Sequence, residues 1–206
     1  MKLGIFRIFL YPLGRFVCFV FLKFNLSYKV FGRENIPTKG PFIIASNHVS
    51  YLDPPLVGVG CPRQLNFMAR ETLFHNRIFG WMLRNIGVIP LRRHGPDISS
   101  VKEALWRLKR GEGLGLFPEG TRSVDGSLRR AFEGVGFLAR KSGAATIPAY
   151  VQGTEKALPK GEKKVRRVPV AVFYGKPVTF PEGRTISDRE RTELIMAAIT
   201  QLRNTY

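Results

Sequence analysis

The sequence predicts an α/β fold: a mostly buried mixed sheet flanked by helices, preceded by an N-terminal membrane-associating helical segment. Two observations predict this class. From residue 28 onward, short apolar runs alternate with segments of helical pattern. The runs are continuously apolar rather than alternating, which is typical of strands buried on both faces. The candidate strands are Tyr28–Phe31, Phe42–Ser46, Gln64–Ala69, Leu114–Phe117, Ala145–Val151 and Val168–Tyr174.

Three helices are predicted, over Asp97–Arg110, Glu133–Ser142 and Asp188–Arg203. The first two stop at glycines, Gly111 and Gly143, and glycine is the residue that most readily adopts the left-handed conformation that follows a helix. The third begins after Ser187, with Glu190 three residues later, which is the pattern of a capping box. These signals place helices between and after the strands, as an α/β fold requires.

The composition limits the class of protein further. A chain of 206 residues suits a single domain, and a hydrophobic content of 44% excludes a disordered basic tail. Lysine and arginine number 33 against 15 acidic residues, a net charge of +18 that points to nucleic acid, anionic lipid or a phosphorylated substrate as partner. The two cysteines, Cys18 and Cys61, form no CxxC pattern and no cluster with histidine. A disulfide scaffold or a metal site is therefore not expected, whereas a reduced, cytosol-facing setting is.

The N-terminal segment combines basic and aromatic residues. Residues 1–33 contain six lysines and arginines before the first acidic residue, Glu34, and nine of the 24 aromatic residues. The lipid headgroup region selects this combination. We therefore predict a membrane-anchoring segment over residues 1–27 and a second domain over residues 28–206.

Residues 3–22 are almost wholly apolar, but two features argue against a simple membrane span. Pro12 and Gly14 interrupt the helical pattern near its middle, and Arg7 and Arg15 interrupt the apolar run. Two short helices lying in the interface, a monotopic anchor on the cytoplasmic face, fit better. A true membrane span and a buried pair of helices are the alternatives.

The first candidate site follows the strand Phe42–Ser46, where a polar cluster contains Asn47, His48, Ser50 and Asp53. Ligands of α/β sheets bind at the carboxyl ends of strands. Histidine is the side chain best suited to proton transfer near neutral pH, and Asp53 lies close enough in sequence to orient the imidazole if the chain turns between them. The alternative is that Asp53, which precedes a proline, caps the N-terminus of a helix.

Two further candidates come after other strands. The stretch from Leu114 ends in a polar turn whose glycine, hydroxyls and arginine suit a phosphate, and Glu119 beside Arg122 predicts an ion pair that orients the arginine. The turn residues are Glu119, Gly120, Thr121, Arg122 and Ser123. The other candidate is Arg92 and Arg93, which follow an apolar run from Gly87. The alternative for the polar turn is an ordinary turn without a ligand. The alternative for Arg92 and Arg93 is a solvated arginine pair.

A basic stretch over residues 156–167 contains six lysines and arginines around Pro159 and Gly161. It is either a solvated loop or a second contact with lipid headgroups.

Together these pieces resemble the glycerophospholipid acyltransferase family. Asn47–Asp53 matches the family's NHxxxxD box, and Phe117–Ser123 matches its FPEGTRS box. The stretch from Met68 to Arg93 is similar to the second block, and Thr146–Val151, around Pro148, is similar to the fourth. The resemblance covers roughly residues 28–180 with the blocks in family order.

The resemblance implies acyl transfer from a thioester, acyl-CoA or acyl carrier protein, to the sn-2 hydroxyl of 1-acylglycerol-3-phosphate (lysophosphatidic acid), giving phosphatidic acid. It implies His48 as general base, oriented by Asp53. It implies phosphate binding by Arg93 or Arg92 together with Glu119, Gly120, Thr121 and Arg122. Supporting roles fall to Asn47, Ser50, Ser123 and Pro148.

The resemblance implies no cofactor beyond the acyl donor and no metal. Acylation of glycerol-3-phosphate or another lysophospholipid is the alternative. A basic membrane- or nucleic-acid-binding module without catalysis is a remote one. Lysophosphatidic acid, the acyl donor and an anionic membrane surface are the expected partners, and nucleic acid is not.

Overall fold

A seven-stranded sheet forms the centre of the fold in the computed structural model, which describes residues 5–92, 97–181, 183 and 185–206. The strands are β1 (Lys29–Phe31), β2 (Phe42–Ser46), β3 (Leu65–Arg70), β4 (Ile89–Leu91), β5 (Gly113–Leu116), β6 (Ala145–Gln152) and β7 (Ala171–Tyr174). Their order across the sheet is β1-β7-β6-β2-β5-β3-β4. All neighbouring pairs are parallel except β6 and β7, so the sheet is mixed, as predicted.

Seven α-helices surround the sheet in the described part of the chain: α1 (Ile5–Leu26), α2 (Asp53–Gly60), α3 (Arg77–Asn85), α4 (Ile98–Lys109), α5 (Gly134–Ser142), α6 (Thr154–Ala157) and α7 (Asp188–Thr205). Successive side chains of β2 point to opposite faces of the sheet, so they contribute to two hydrophobic cores. Phe42 and Ile44 pack into the core shared with α1 and α2. Ile43 and Ala45 pack into the core shared with α4, α5 and α7. The sheet is therefore covered on both faces, and the predicted fold class is confirmed.

The predicted helix ends agree closely with the structure. Gly111 and Gly143 both have positive φ values, 79° and 62°, at the ends of α4 and α5. The hydroxyl of Ser187 accepts a hydrogen bond from the backbone N–H of Glu190 and so caps α7. The largest difference in a strand is at β7, which begins at Ala171 rather than Val168. Helices α3 and α6 were not predicted, and α2 was expected only in the alternative in which Asp53 caps a helix.

The prediction of two short N-terminal helices is wrong, because α1 runs unbroken from Ile5 to Leu26 through Pro12. Tertiary contacts hold the helix on both sides of the proline. The hydroxyl of Tyr11 accepts from the backbone N–H of Leu65 at 3.1 Å. The guanidinium of Arg15 donates to the carbonyl of Val59 at 3.1 Å, where α2 ends. These bonds stabilise the helix in place although Pro12 has no backbone N–H to donate within it.

Helix α1 has one buried and one exposed side. Leu22 and Leu26 are each 1% exposed within the core, so the last turns of α1 pack with the rest of the domain. The opposite side exposes large apolar residues at a spacing of three or four: Phe9, Leu13, Phe16, Val17, Val20 and Phe24. The stretch Phe9–Leu26 is long and apolar enough to cross a membrane by length and composition, and 11% of it is buried. The division between residues 27 and 28 stays a prediction.

Candidate active site

His48 and Asp53 meet in the loop between β2 and α2. The Nδ1 atom of His48 lies 2.8 Å from Oδ2 of Asp53. The same oxygen accepts from the backbone N–H groups of Val49 and Ser50, at 2.7 and 2.8 Å. The other oxygen, Oδ1, accepts from the hydroxyl of Thr154 at 2.6 Å. The carboxylate is fully buried, and both of its oxygens are hydrogen-bonded.

The alternative prediction, that Asp53 caps a helix, is wrong. Helix α2 begins at Asp53 itself, and its N-cap residue is Leu52, whose side chain makes no capping bond. The Asp53 carboxylate instead accepts from Val49 and Ser50, which precede the helix. These bonds make the turn that brings Asp53 back to the imidazole.

The hydrogen bonds around Asp53 fix the tautomer of His48. Oδ2 of Asp53 already accepts from two backbone N–H groups, so the hydrogen on its bond to His48 is placed on Nδ1. Nε2 then carries the lone pair and is the basic atom of the ring. The His48 side chain is 18% exposed, and its ring stacks on Phe117 with centroids 4.2 Å apart.

Asn47 and Ser50 hold the loop that carries His48. The Asn47 amide donates to the carbonyl of Val151 and accepts from its N–H, so the loop is tied to β6. The Ser50 hydroxyl donates to the carbonyl of Leu158 at 2.8 Å. Both side chains are buried. They hold the loop in place.

Glu119 is not the partner of Arg122 that the sequence analysis predicts. One carboxylate oxygen of Glu119 accepts from the backbone N–H of His48 at 3.0 Å, and the other accepts from the N–H of Arg129 at 2.9 Å. Burial raises the pKa of the Glu119 carboxyl, and these two bonds partly offset that rise. No ion pair joins Glu119 to Arg122 among the described residues. A buried carboxylate needs donors on both oxygens, and the backbone supplies them.

Arg122 lies beside His48, because the next residue, Ser123, donates its backbone N–H to the carbonyl of His48 at 2.8 Å. The guanidinium of Arg122 stacks over the ring of Tyr51, 3.5 Å from its centroid. Its Nη1 atom is buried and has no hydrogen-bond partner within the described part of the chain. The stacking orients a planar, permanently charged group, one of whose nitrogens has no hydrogen-bond partner among the described residues.

The other residues of the turn also make specific contacts. Gly120 has a φ of +63°, and a Cβ there would lie 2.8 Å from the ring of Phe132, so only glycine fits without a shift. The Thr121 hydroxyl accepts from the guanidinium of Arg70 at 3.2 Å. The Ser123 hydroxyl donates to Asp125.

Two cations that the sequence analysis missed border this turn. Arg70, the last residue of β3, contacts Thr121. The ammonium group of Lys160 donates to the carbonyl of Arg122 at 3.0 Å. Arg70 could have been found as a strand-end residue inside the second block. Lys160 belongs to the basic stretch 156–167, which the structure therefore places beside the candidate site.

The remaining predicted residues lie elsewhere or outside the description. The Arg92 side chain is exposed and lies 3.6 Å from Glu71, while its backbone N–H donates to Asp97. Arg93 lies outside the described residues. Pro148 lies within β6, beyond the end of the ladder with β7, where its carbonyl accepts from Gly175. Among the described residues, no group of three His, Cys, Asp or Glu side chains could hold a metal ion.

This geometry agrees with comparisons to known proteins. The sequence model of a family described as Acyltransferase matches residues 27–152, more than half of the chain. The chain therefore belongs to the acyltransferase family, and the resemblance found in the sequence blocks is confirmed.

Relatives within that family are more particular. A 1-acyl-sn-glycerol-3-phosphate acyltransferase of Bacillus subtilis (strain 168) is 32% identical over 184 residues, which are 88% of this chain and 89% of that protein. A chloroplastic 1-acyl-sn-glycerol-3-phosphate acyltransferase of Arabidopsis thaliana is 32% identical over 84% of this chain and 49% of its own length. The crystal structure of the 1-acyl-sn-glycerophosphate acyltransferase PlsC from Thermotoga maritima superposes with a TM-score of 0.75 at 26% identity, covering 95% of this chain and 78% of that one.

Proposed function

We propose that this acyltransferase moves a fatty acyl group from a thioester donor to the sn-2 hydroxyl of 1-acylglycerol-3-phosphate, giving phosphatidic acid. The observation that carries the proposal is the contact between two loops. The loop with the His48–Asp53 pair is bonded directly to the turn that carries Arg122. A base and a phosphate-binding cation thus stand side by side, as a phosphorylated alcohol requires. The names of the relatives support the same substrate.

The His48–Asp53 pair suits the proton transfers of this reaction. Nε2 of His48 takes the proton of the acceptor hydroxyl as its oxygen forms a bond to the thioester carbonyl carbon. Asp53 keeps the ring in the required tautomer and stabilises the imidazolium that forms. The carbon–sulfur bond then breaks, and the imidazolium returns its proton to the departing sulfur. The products are an ester and a free thiol, and no covalent acyl-enzyme is needed.

The surroundings of His48 suit an amphiphilic acceptor. On one side, the rings of Phe117 and Phe67 stack in sequence with His48, at centroid distances of 4.2 and 6.0 Å, and offer an apolar surface for an acyl chain. On the other, Arg122 offers a charged donor, with Arg70 and Lys160 at the edges of its turn. Arg93 stays a candidate for the same phosphate.

Helix α1 supports a membrane location for the reaction. Its exposed apolar side and the basic residues of the N-terminal segment fit a monotopic anchor on the anionic cytoplasmic face of a membrane. The proposed acceptor is a lipid, so the lipid surface is where the enzyme meets it.

The acceptor and donor are identified by one experiment on the full chain. Purified protein is given lysophosphatidic acid, glycerol-3-phosphate or lysophosphatidylcholine, each with the same acyl group on CoA or on acyl carrier protein. We expect the fastest product formation with lysophosphatidic acid. Faster acylation of glycerol-3-phosphate would replace the proposed acceptor, and turnover of none of the three would exclude the proposed reaction class. The donor arms decide between CoA and the carrier protein.

Replacing Arg122 with lysine is expected to raise the KM for lysophosphatidic acid about tenfold, with a smaller effect on kcat. Lysine keeps the charge but lacks the planar fork that binds phosphate through two hydrogen bonds. One hydrogen bond to a charged group contributes about 1.5–3 kcal/mol, which is a factor of about ten or more. Initial rates at varied acceptor concentration measure the change.

Arg110→Lys is the matched control, because Arg110 also stacks on an aromatic ring, that of Trp106, but at the end of α4. We expect it to behave as wild type. The same assay with 1-acylglycerol, which has no phosphate, should show no difference between Arg122→Lys and wild type. An equal loss with both acceptors would contradict a phosphate contact.

A further inference from the structure

Helix α3 exposes large apolar residues on the side that faces away from the domain. The side packed on the domain is formed by Gly80 and Leu83, which are buried. The outer side exposes Ile78, Trp81 and Met82, which the spacing of three and four residues places on one face. Ile78 is 81% exposed, more than any other large apolar residue described. A helix that faced only water would carry polar residues there.

One edge of this apolar face is basic. Arg77 and Arg84 each lie about one turn from Trp81, on the same side of it, and both are exposed. The guanidinium of Arg84 rests over the ring of Phe74, 5.2 Å from its centroid. Together with Trp81 and Ile78 these residues line a shallow hollow on the outer surface. Aromatic and aliphatic side chains flanked by arginines are typical of helices that lie in an anionic membrane interface.

Helix α3 also contacts α1, the other helix with exposed apolar residues. A second copy of the chain is a poorer occupant of this face, since it would bring another net charge of +18 against the same arginines. An anionic lipid surface complements the charge and covers the apolar residues of both helices together.

We propose that α3 is a second membrane-contact element, which inserts Ile78, Trp81 and Met82 into an anionic bilayer beside α1 while Arg77 and Arg84 meet lipid phosphates. The inference rests on the proposed membrane location of the enzyme and extends it. Two contacts on different segments fix the orientation of the domain on the lipid, which a single helix would leave free to rotate.

The two tryptophans of the chain test this directly, because they lie on opposite sides of the sheet. Trp81 is on α3, which contacts α1 on one side of the sheet, and Trp106 is on α4, which packs in the core on the other side. In the variant Trp106→Phe, the emission of Trp81 is expected to shift to shorter wavelength on vesicles of phosphatidylglycerol and phosphatidylcholine, and brominated acyl chains should quench it. In the variant Trp81→Phe, the emission of Trp106 should do neither.

Ile78→Gln provides an independent measurement. We expect it to weaken partitioning onto the same vesicles about tenfold, because the side chain of Ile78 is exposed in the free protein and buried in lipid. Ile98→Gln is the matched control, since Ile98 is also exposed but lies at the start of α4. It should bind as wild type does.

The outcomes separate this inference from the proposed function. If the protein binds vesicles but Trp81 is neither shifted nor quenched and Ile78→Gln binds normally, α3 makes no lipid contact and only the inference fails. If the protein does not bind vesicles although it acylates dispersed lysophosphatidic acid, both the inference about α3 and the proposed membrane location are wrong. The proposed acyl transfer is then unaffected. If the emission of Trp81 shifts with protein concentration in the absence of lipid, a second copy covers α3 and the inference is overturned.

Discussion

Replacing His48 with alanine is expected to lower the rate of acyl transfer about 100- to 10,000-fold, the contribution typical of a positioned general base. The variant leaves the acceptor hydroxyl with no base in reach, because the Asp53 carboxylate is fully buried and its oxygens already accept from Val49, Ser50 and Thr154, while Arg122 is a cation. Release of free thiol from the acyl donor, followed with a thiol reagent, measures the rate.

His75→Ala is the matched control, since His75 is exposed in the segment between β3 and α3 and makes only a backbone contact among those described. It should keep wild-type turnover. The His48 side chain makes no other recorded hydrogen bond than that to Asp53, so vesicle binding and the thermal unfolding transition should survive its removal. A His48→Ala variant that turned over near the wild-type rate would exclude the proposed mechanism.

Asp53→Asn is expected to lower the rate about as strongly while leaving the fold intact. The amide oxygen can take the place of Oδ2 and accept from His48, Val49 and Ser50, and the amide nitrogen can donate to the hydroxyl of Thr154. The change therefore removes the negative charge that stabilises the imidazolium but keeps all four contacts hydrogen-bonded, with the direction of the Thr154 bond reversed. Steady-state rates and thermal unfolding are compared on the same preparation.

Asp53→Ala separates the two roles of this carboxylate. Alanine leaves the Val49, Ser50 and Thr154 donors buried without an acceptor, at about 1–3 kcal/mol for each group. We expect Asp53→Ala to unfold at a clearly lower temperature than Asp53→Asn, although both lose activity. If Asp53→Asn kept full activity, the charge would have no part in the reaction and Asp53 would be a structural residue alone.

The sequence predicted the fold class and the His48–Asp53 contact because both depend on short-range features. Buried strands show as continuous apolar runs, and a five-residue spacing allows contact when the chain turns. Arg70, Thr154 and Lys160 were missed because they reach the site through the order of the strands. That order places β5 and β6 on either side of β2, with β3 next to β5. No local pattern encodes it.

Two wrong predictions, the Glu119–Arg122 ion pair and the break in α1, also arise from contacts between distant segments. Pairing Glu119 with the nearest arginine overlooked the backbone N–H groups that other segments direct at a buried carboxylate. Breaking α1 at Pro12 relied on intrinsic propensity, which the bonds of Tyr11 and Arg15 to the domain override.

The two carboxylate bonds of Glu119 have a consequence for regiochemistry. Glu119 holds the backbone of His48, and the bond from Ser123 to His48 fastens the arginine-bearing turn to the same point. The separation between His48 and the turn that carries Arg122 is therefore set by backbone hydrogen bonds that the acceptor does not touch. In a glycerol phosphate the sn-2 oxygen lies one carbon nearer to the phosphorus than the sn-1 oxygen. Under the proposed mechanism, we therefore expect an acceptor whose free hydroxyl is at sn-2 to react faster than its isomer whose free hydroxyl is at sn-1.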